Sequence, residues 1–452
     1  MFLTILLGLL GLGLVVFVHE AGHLLAAKAV GVEVEAFSIG WGRTLISRKW
    51  GETDYRLSLF PLGGYCKMKG EASFQKAVEE NAEELPREEG SFYGASVWRR
   101  VVILIAGPAA NLLFAILVLS LIWFFGFSFE TFENRIVIAA EYQEQTVAGE
   151  QSPALEADLE TGDRIVSING EETPYFRNIQ REVSGSADRR ITLTVERNSE
   201  RLTVETTPRL DPATGAGFIG IAPWIEPVVG EVSGSARVAG LRPGDRILRV
   251  DGQDVPHSLA FSAALQDGGA SVEIDYERNG EEQRTRLAPD SEDGRRIAGV
   301  SFETVTGESQ EYGFAGAFAR GTSETFETMA LTVRGIATLF RGVDVTQAVA
   351  GPARIVYLTG EVASQGFNVG VGAGLSSLFN FLGLLSVILC FMNLLPIPVF
   401  DGGQIVISLA EGIRRKPFTP RTMQRYQMVG ALMVFALLIF AITADFLFFT
   451  GG

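Results

Sequence analysis

Residues 15 to 28 read "VVFVHEAGHLLAAK", an apolar run carrying His19, Glu20 and His23. The whole 452-residue chain has only three histidines, and two of them lie here. On a helix, positions i and i+4 share a face, so His19 and His23 can present their imidazoles to one ion with Glu20 beside them. Burying a glutamate costs several kcal/mol unless it is paired or functional, and an ionisable cluster inside a span marks a functional site. The reading of this stretch therefore decides both the fold and the chemistry.

The surrounding sequence is membrane-like. Apolar residues make up 47% of the chain, and four runs reach the ~20 residues that cross a hydrocarbon core: 2 to 29, 98 to 126, 375 to 395 and 427 to 449. An N-terminal signal peptide fits poorly, because no positive charge precedes the first run and the polar trio sits inside it. Every lysine lies outside the long block 127 to 375, which holds 22 arginines against 38 acidic residues, a balance of −16 in a chain of net charge −15. Lysines 28, 49, 67, 69 and 76, the pair Arg99-Arg100 and "RRK" at 414 to 416 assign the two loops that carry them to the cytoplasm. The acidic block and both termini then lie outside it, and so acidic a block is no nucleic-acid binder. Cys66 and Cys390 fall outside the block, so no disulfide framework is expected.

After the first run, "FSIGWGRTLISRKWGETDYRLSLFPLGGYCKMKG" alternates polar and apolar residues around glycines and predicts short strands and tight turns at the membrane. Residues 71 to 91 are charged and read as a mobile loop. Inside the block, "SPALEADLETGDRIVSINGEE" at 152 to 172 aligns with "SARVAGLRPGDRILRVDGQDV" at 235 to 255, and "LTVERNSERLTV" is answered by "IDYERNGEEQRT". Each unit is strand-rich with an Asn-Gly or Asp-Gly turn, and it resembles a PDZ domain, a module that binds peptide C-termini or extended segments at a sheet edge. Beyond it, Phe326, Met329, Val333, Ile336 and Phe340 recur at helical spacing. They predict an amphipathic helix, lying on the membrane or packed on the repeats.

A catalytic zinc has three protein ligands and an open position. His257 lies in the second repeat, so the third ligand must be a carboxylate or a thiolate. In "FMNLLPIPVFDGGQIVISL", Pro396 and Pro398 break the third run and Asp401 opens a helix. Asp401 and Gln404 also have capping-box spacing, so the residues alone divide the aspartate between ligand and cap.

His19-Glu20-x-x-His23 together with Asn393-x-x-Pro396-x-Pro398-x-x-Asp401-Gly402 resembles the signature pair of the site-2 protease family of intramembrane metalloproteases. The Gly-x-Gly loop at 40 to 42, "PLGGY" at 61 to 65, "AGPAAN" at 106 to 111 and tandem PDZ units resemble one bacterial branch of it. The resemblance spans nearly the whole chain. It implies Zn2+ held by His19, His23 and Asp401, Glu20 as general base, and Asn393, Pro396, Pro398, Gly63 and Gly64 at the substrate. Counted inward from Lys28, Glu20 would lie about 12 Å deep.

The implied architecture is a polytopic inner-membrane protein: four transmembrane helices with a membrane-associated β-loop region, and two tandem PDZ (α+β) domains on the periplasmic side with both termini. Its expected parts are a first span (1 to 30), a β region and loop (31 to 96), a second span (97 to 126) and PDZ domains at 127 to 222 and 223 to 305. A connector with the amphipathic helix (306 to 374), a third span (375 to 395), the Asp401 loop and cytoplasmic helix (396 to 426) and a fourth span (427 to 450) complete it. The implied partners are the lipid bilayer and single-span membrane proteins, namely a trimmed anti-sigma factor and remnant signal peptides, with the PDZ pair filtering by size. The rival readings are a catalytically silent PDZ scaffold, which would have no reason to keep four costly polar groups, and a metal transporter. A transporter needs polar residues lining several spans, and the fourth offers almost none apart from Asp445.

Overall fold

The computed structural model describes residues 2–85, 88–142, 152–211, 215–292, 295–309, 312–339 and 350–450. It divides into two units, one of residues 1–127 with 309–452 and one of residues 128–308.

In the first unit, four helices are long and apolar enough to cross a membrane: Phe2–Ala29, Val97–Phe125, Val371–Leu394 and Pro420–Thr450. The last begins seven residues before its apolar run, because Pro420 suits a first helical turn and Thr419 accepts a hydrogen bond from the Thr422 amide at 3.3 Å. The first span packs on the second, on a helix at Pro352–Val369 and on the strand Thr53–Met68. Small residues permit the close approach of helices, since a Cβ at Gly8 or Gly360 would strike the Val356 or Thr4 carbonyl.

The expected short strands lie within Val34–Trp50 and Thr53–Met68 and make one sheet: residues 36–39 pair with 64–67 on one side and with 54–57 on the other, and 54–57 pair in turn with 46–49. Gly40 and Gly42, at φ 86° and 88°, lie where the pairing changes between residues 36–39 and 44–50, so these glycines make the turn that the sequence predicts. Residues 71 to 91 are not a loop throughout: Glu71–Glu79 is helical. Phe74 and Ala77 form a buried stripe, and Phe74 joins Ile407 and Met423 in a small core, which offsets the charged composition.

The helix expected around Phe326 runs from Phe314 to Leu339, with Phe340 outside the described residues. It packs on the second span through a face where Ala317 and Thr325 are buried and a Cβ at Gly321 would meet the Ser120 Cα at 2.8 Å. Phe326 and Val333 are exposed.

In the second unit the internal repeat is structural. Each copy has a four-stranded sheet of the same order, built from Arg164–Ile168, Glu171–Glu172, Ile191–Arg197 and Glu200–Thr206 in one and Arg246–Val250, Gln253–Asp254, Val272–Arg278 and Glu281–Leu287 in the other. Each has its own apolar core. The repeated Gly-Asp and Glu-Arg-Asn stretches meet as an ion pair between a buried aspartate and a partly exposed arginine, Asp163 with Arg197 at 2.8 Å and Asp245 with Arg278 at 2.7 Å. The turns at Asn169-Gly170 and Asp251-Gly252 have positive φ at both residues, the geometry that joins two twisted strands tightly.

Candidate metal centre

His19 and His23 lie on the face of the first span that meets the second span and the start of the helix Asp401–Arg414. Their Nε2 atoms are 3.2 Å apart and the rings meet edge to face. Asp401 Oδ2 stands 3.2 Å from His19 Nε2 and 3.4 Å from His23 Nε2. The donor atoms of the three residues lie within 4.8 Å of one another, and both histidines are buried. Asp401 Oδ2 is also buried and receives no hydrogen bond of acceptable geometry. An orphaned carboxylate oxygen facing two imidazole nitrogens is the donor set that suits zinc.

The second span shapes this centre. The His23 Nδ1–H donates to the Ile103 carbonyl at 2.8 Å, which leaves Nε2 as the free lone pair. A Cβ on Gly107 would collide with His23 Nε2 and stand 2.9 Å from His19 Cε1. Asn111, fully buried, approaches His19 Nδ1 at 3.4 Å. Gly22 gives clearance from the other side, where a Cβ would strike the Ala106 carbonyl.

Asp401 is not a cap. It occupies the first helical position after Phe400, which itself makes no side-chain cap hydrogen bond. Gln404 turns back to donate to the Pro398 carbonyl at 2.7 Å, and Tyr426 donates to the Gly403 carbonyl at 2.9 Å. Pro396 and Pro398 lie in the tight loop between the third span and this helix. At the far end, Glu411 pairs with Arg100 of the second span at 2.6 Å, with both side chains buried. These contacts fix the helix that carries Asp401.

Glu20 follows His19 by one residue and points toward the sheet of Val34–Trp50 and Thr53–Met68. A Cβ on Gly64 would stand 3.2 Å from its Cγ, and Gly63, at φ 145°, lies against the Trp41 indole. Cys66 lies two residues beyond Gly64 along the strand, and burial together with Glu20 pushes its thiol up to about 12. Asn393, in the last turn of the third span, donates to the Leu389 carbonyl at 3.1 Å and, among the described residues, has no hydrogen bond to the trio. The second span's contribution escaped the sequence reading, although "AGPAAN" was visible. Its signal in the sequence is an asparagine, Asn111, inside an apolar run.

The family model of peptidase family M50 matches residues 7–437. The chain belongs to peptidase family M50, the site-2 protease family. A protein of Treponema pallidum (strain Nichols) whose name is that of a zinc metalloprotease is 39% identical over 97% of each chain. The regulator of sigma-E protease RseP of Escherichia coli (strain K12) is 31% identical, again over 97% of each. This M50 chain is therefore a zinc metalloprotease with several membrane helices.

Proposed function

We propose that His19, His23 and Asp401 hold the zinc ion of this M50 protease and that Glu20 is its general base. The observation that carries this is the convergence of the three donors around a buried, unpartnered Asp401 oxygen. Zinc held there would polarise the scissile carbonyl and lower the pKa of a bound water toward about 7. Glu20 takes up the proton at its carboxylate and returns it to the leaving amine nitrogen.

A helical substrate must be unwound before its peptide bond can be cut. In the described residues, positions 64–67 pair only with 36–39, so their other edge is open to an added strand. Gly63 and Gly64 would then let the substrate backbone run beside Glu20. Pro396 and Pro398 would hold the loop open opposite, and Asn393 would turn its amide from Leu389 to an exposed substrate group. On this reading Asn393→Ala weakens cleavage and leaves zinc bound, while unchanged cleavage removes Asn393 from the substrate site.

The two repeats are proposed as periplasmic PDZ domains, in a bacterial inner-membrane protein with both termini periplasmic. The lysines confined to the loops outside the acidic block support this orientation. The substrates are single-span membrane proteins: a trimmed anti-sigma factor, which fits the name of the Escherichia coli relative, and remnant signal peptides. The PDZ pair excludes substrates that keep a bulky external domain.

The test is cleavage of a trimmed single-span reporter by purified enzyme in detergent, with bound zinc measured in wild type and Glu20→Gln. Loss of cleavage with zinc retained supports the assignment. Equal cleavage in the two proteins refutes the role of Glu20.

A further inference from the structure

Asn111 is fully buried in the second span, an apolar helix in which a buried amide is costly unless it is hydrogen-bonded. Its Nδ2 lies 3.4 Å from His19 Nδ1, and its Oδ1 is buried without a hydrogen-bond partner. Ile103, Gly107 and Asn111 are spaced by four, so they share one helix face, opposite the face that carries His19 and His23. That face treats the two imidazoles differently. His23 meets a backbone carbonyl, which only accepts, whereas His19 meets an amide, which can donate or accept.

We propose that Asn111 is a positioning residue for the metal, its Oδ1 accepting the Nδ1–H of His19 and so fixing the tautomer that offers Nε2 to zinc. This rests on the reading of His19 as a ligand through Nε2. A neutral imidazole that ligates through Nε2 must carry its proton on Nδ1, and the group facing Nδ1 must then accept. A half-turn of the Asn111 amide presents Oδ1 there and satisfies the buried oxygen. An outer-shell acceptor of this kind fixes ring orientation and raises ligand basicity, and its loss weakens metal binding about 10- to 100-fold. The face of the second span that carries "AGPAAN" thereby gains a joint role: Gly107 gives the imidazoles room, Ile103, one turn earlier, orients one and Asn111 the other.

The experiment is a zinc affinity measurement on the detergent-solubilised full chain by competition with a chromophoric chelator. Asn111→Leu, which keeps bulk and removes the amide, is expected to bind zinc about 10- to 100-fold more weakly. Asn111→Asp, which can only accept, is expected to bind within about threefold of wild type or more tightly. If the Leu variant fails to fold, Asn111→Ala carries the same expectation. A packing role would leave zinc affinity unmoved, so wild-type affinity in Asn111→Leu or Asn111→Ala overturns the proposal. So does an Asp variant as weak as the apolar one. His19→Ala separates the two readings: wild-type zinc affinity in that variant means that His19 is no ligand, whereas its loss together with tight binding by Asn111→Leu condemns only the role of Asn111.

Discussion

Gly107→Ala adds a single methyl group and removes no chemistry, yet it is expected to disable the enzyme. The new Cβ would overlap His23 Nε2 and stand 2.9 Å from His19 Cε1. Unstrained contact needs roughly 3.5 Å, so the spans must part by at least about 0.6 Å at His19 and further at His23. A displacement near 1 Å at reacting groups lowers rate by about 100-fold, equivalent to about 2.7 kcal/mol of barrier. Alanine favours helix over glycine by about 1 kcal/mol, so the loss cannot come from a weakened second span. The assay is reporter cleavage in detergent with zinc content measured alongside. Gly372→Ala serves as control, since a Cβ there meets open space. Cleavage by Gly107→Ala within about threefold of wild type, with full zinc, would refute the claim that the second span is fitted this closely to the imidazoles.

Removing one partner of the buried Arg100–Glu411 pair, as in Arg100→Ala, should destabilise the protein by about 3–5 kcal/mol, while Arg100→Met with Glu411→Leu should recover most of it; thermal unfolding in detergent checks both. Asp445 accepts from the amides of Gly351, Ala353 and Arg354 at 2.7 to 3.2 Å and caps the helix Pro352–Val369 from the fourth span. Asp445→Ala should therefore lower stability by about 2 kcal/mol, and equal melting of wild type and variant would remove this role. In the second unit, burial and then the Arg135 charge hold His257 below the ordinary histidine range. The unfolded chain takes up the proton first, so the stability that His257 contributes is complete above pH about 6.5 and declines as the pH falls below it. Unfolding followed from pH 7.5 to pH 5 should show the decline in wild type and less of it in His257→Phe; equal slopes would contradict this.

How much was legible depends on how local the signal is. His19, Glu20 and His23 stand together in an apolar run, and the Gly-Asp-Arg-Ile repeat recurs along the chain, so the first span and the paired units could be read directly. Asp401 could not be assigned from its neighbours, because a ligand and a capping aspartate both precede a helix with Gln404 in place. In the fold Gln404 turns to Pro398 and Asp401 Oδ2 faces the imidazoles, which supports the proposed ligand role. The helix Glu71–Glu79 was hidden because its stabilisation comes from Ile407 and Met423, far along the chain. Asn111 and Gly107 acquire meaning only from the first span packed against them.

The most direct test of the metal centre is X-ray absorption at the zinc edge of purified wild type and Asp401→Ala. Wild type should show nitrogen and oxygen ligands at about 2.0–2.2 Å with no sulfur near 2.3 Å, and the variant should lose most of its zinc. A sulfur shell, which would bring in Cys66 or Cys390, or full zinc retention in Asp401→Ala, would contradict the account.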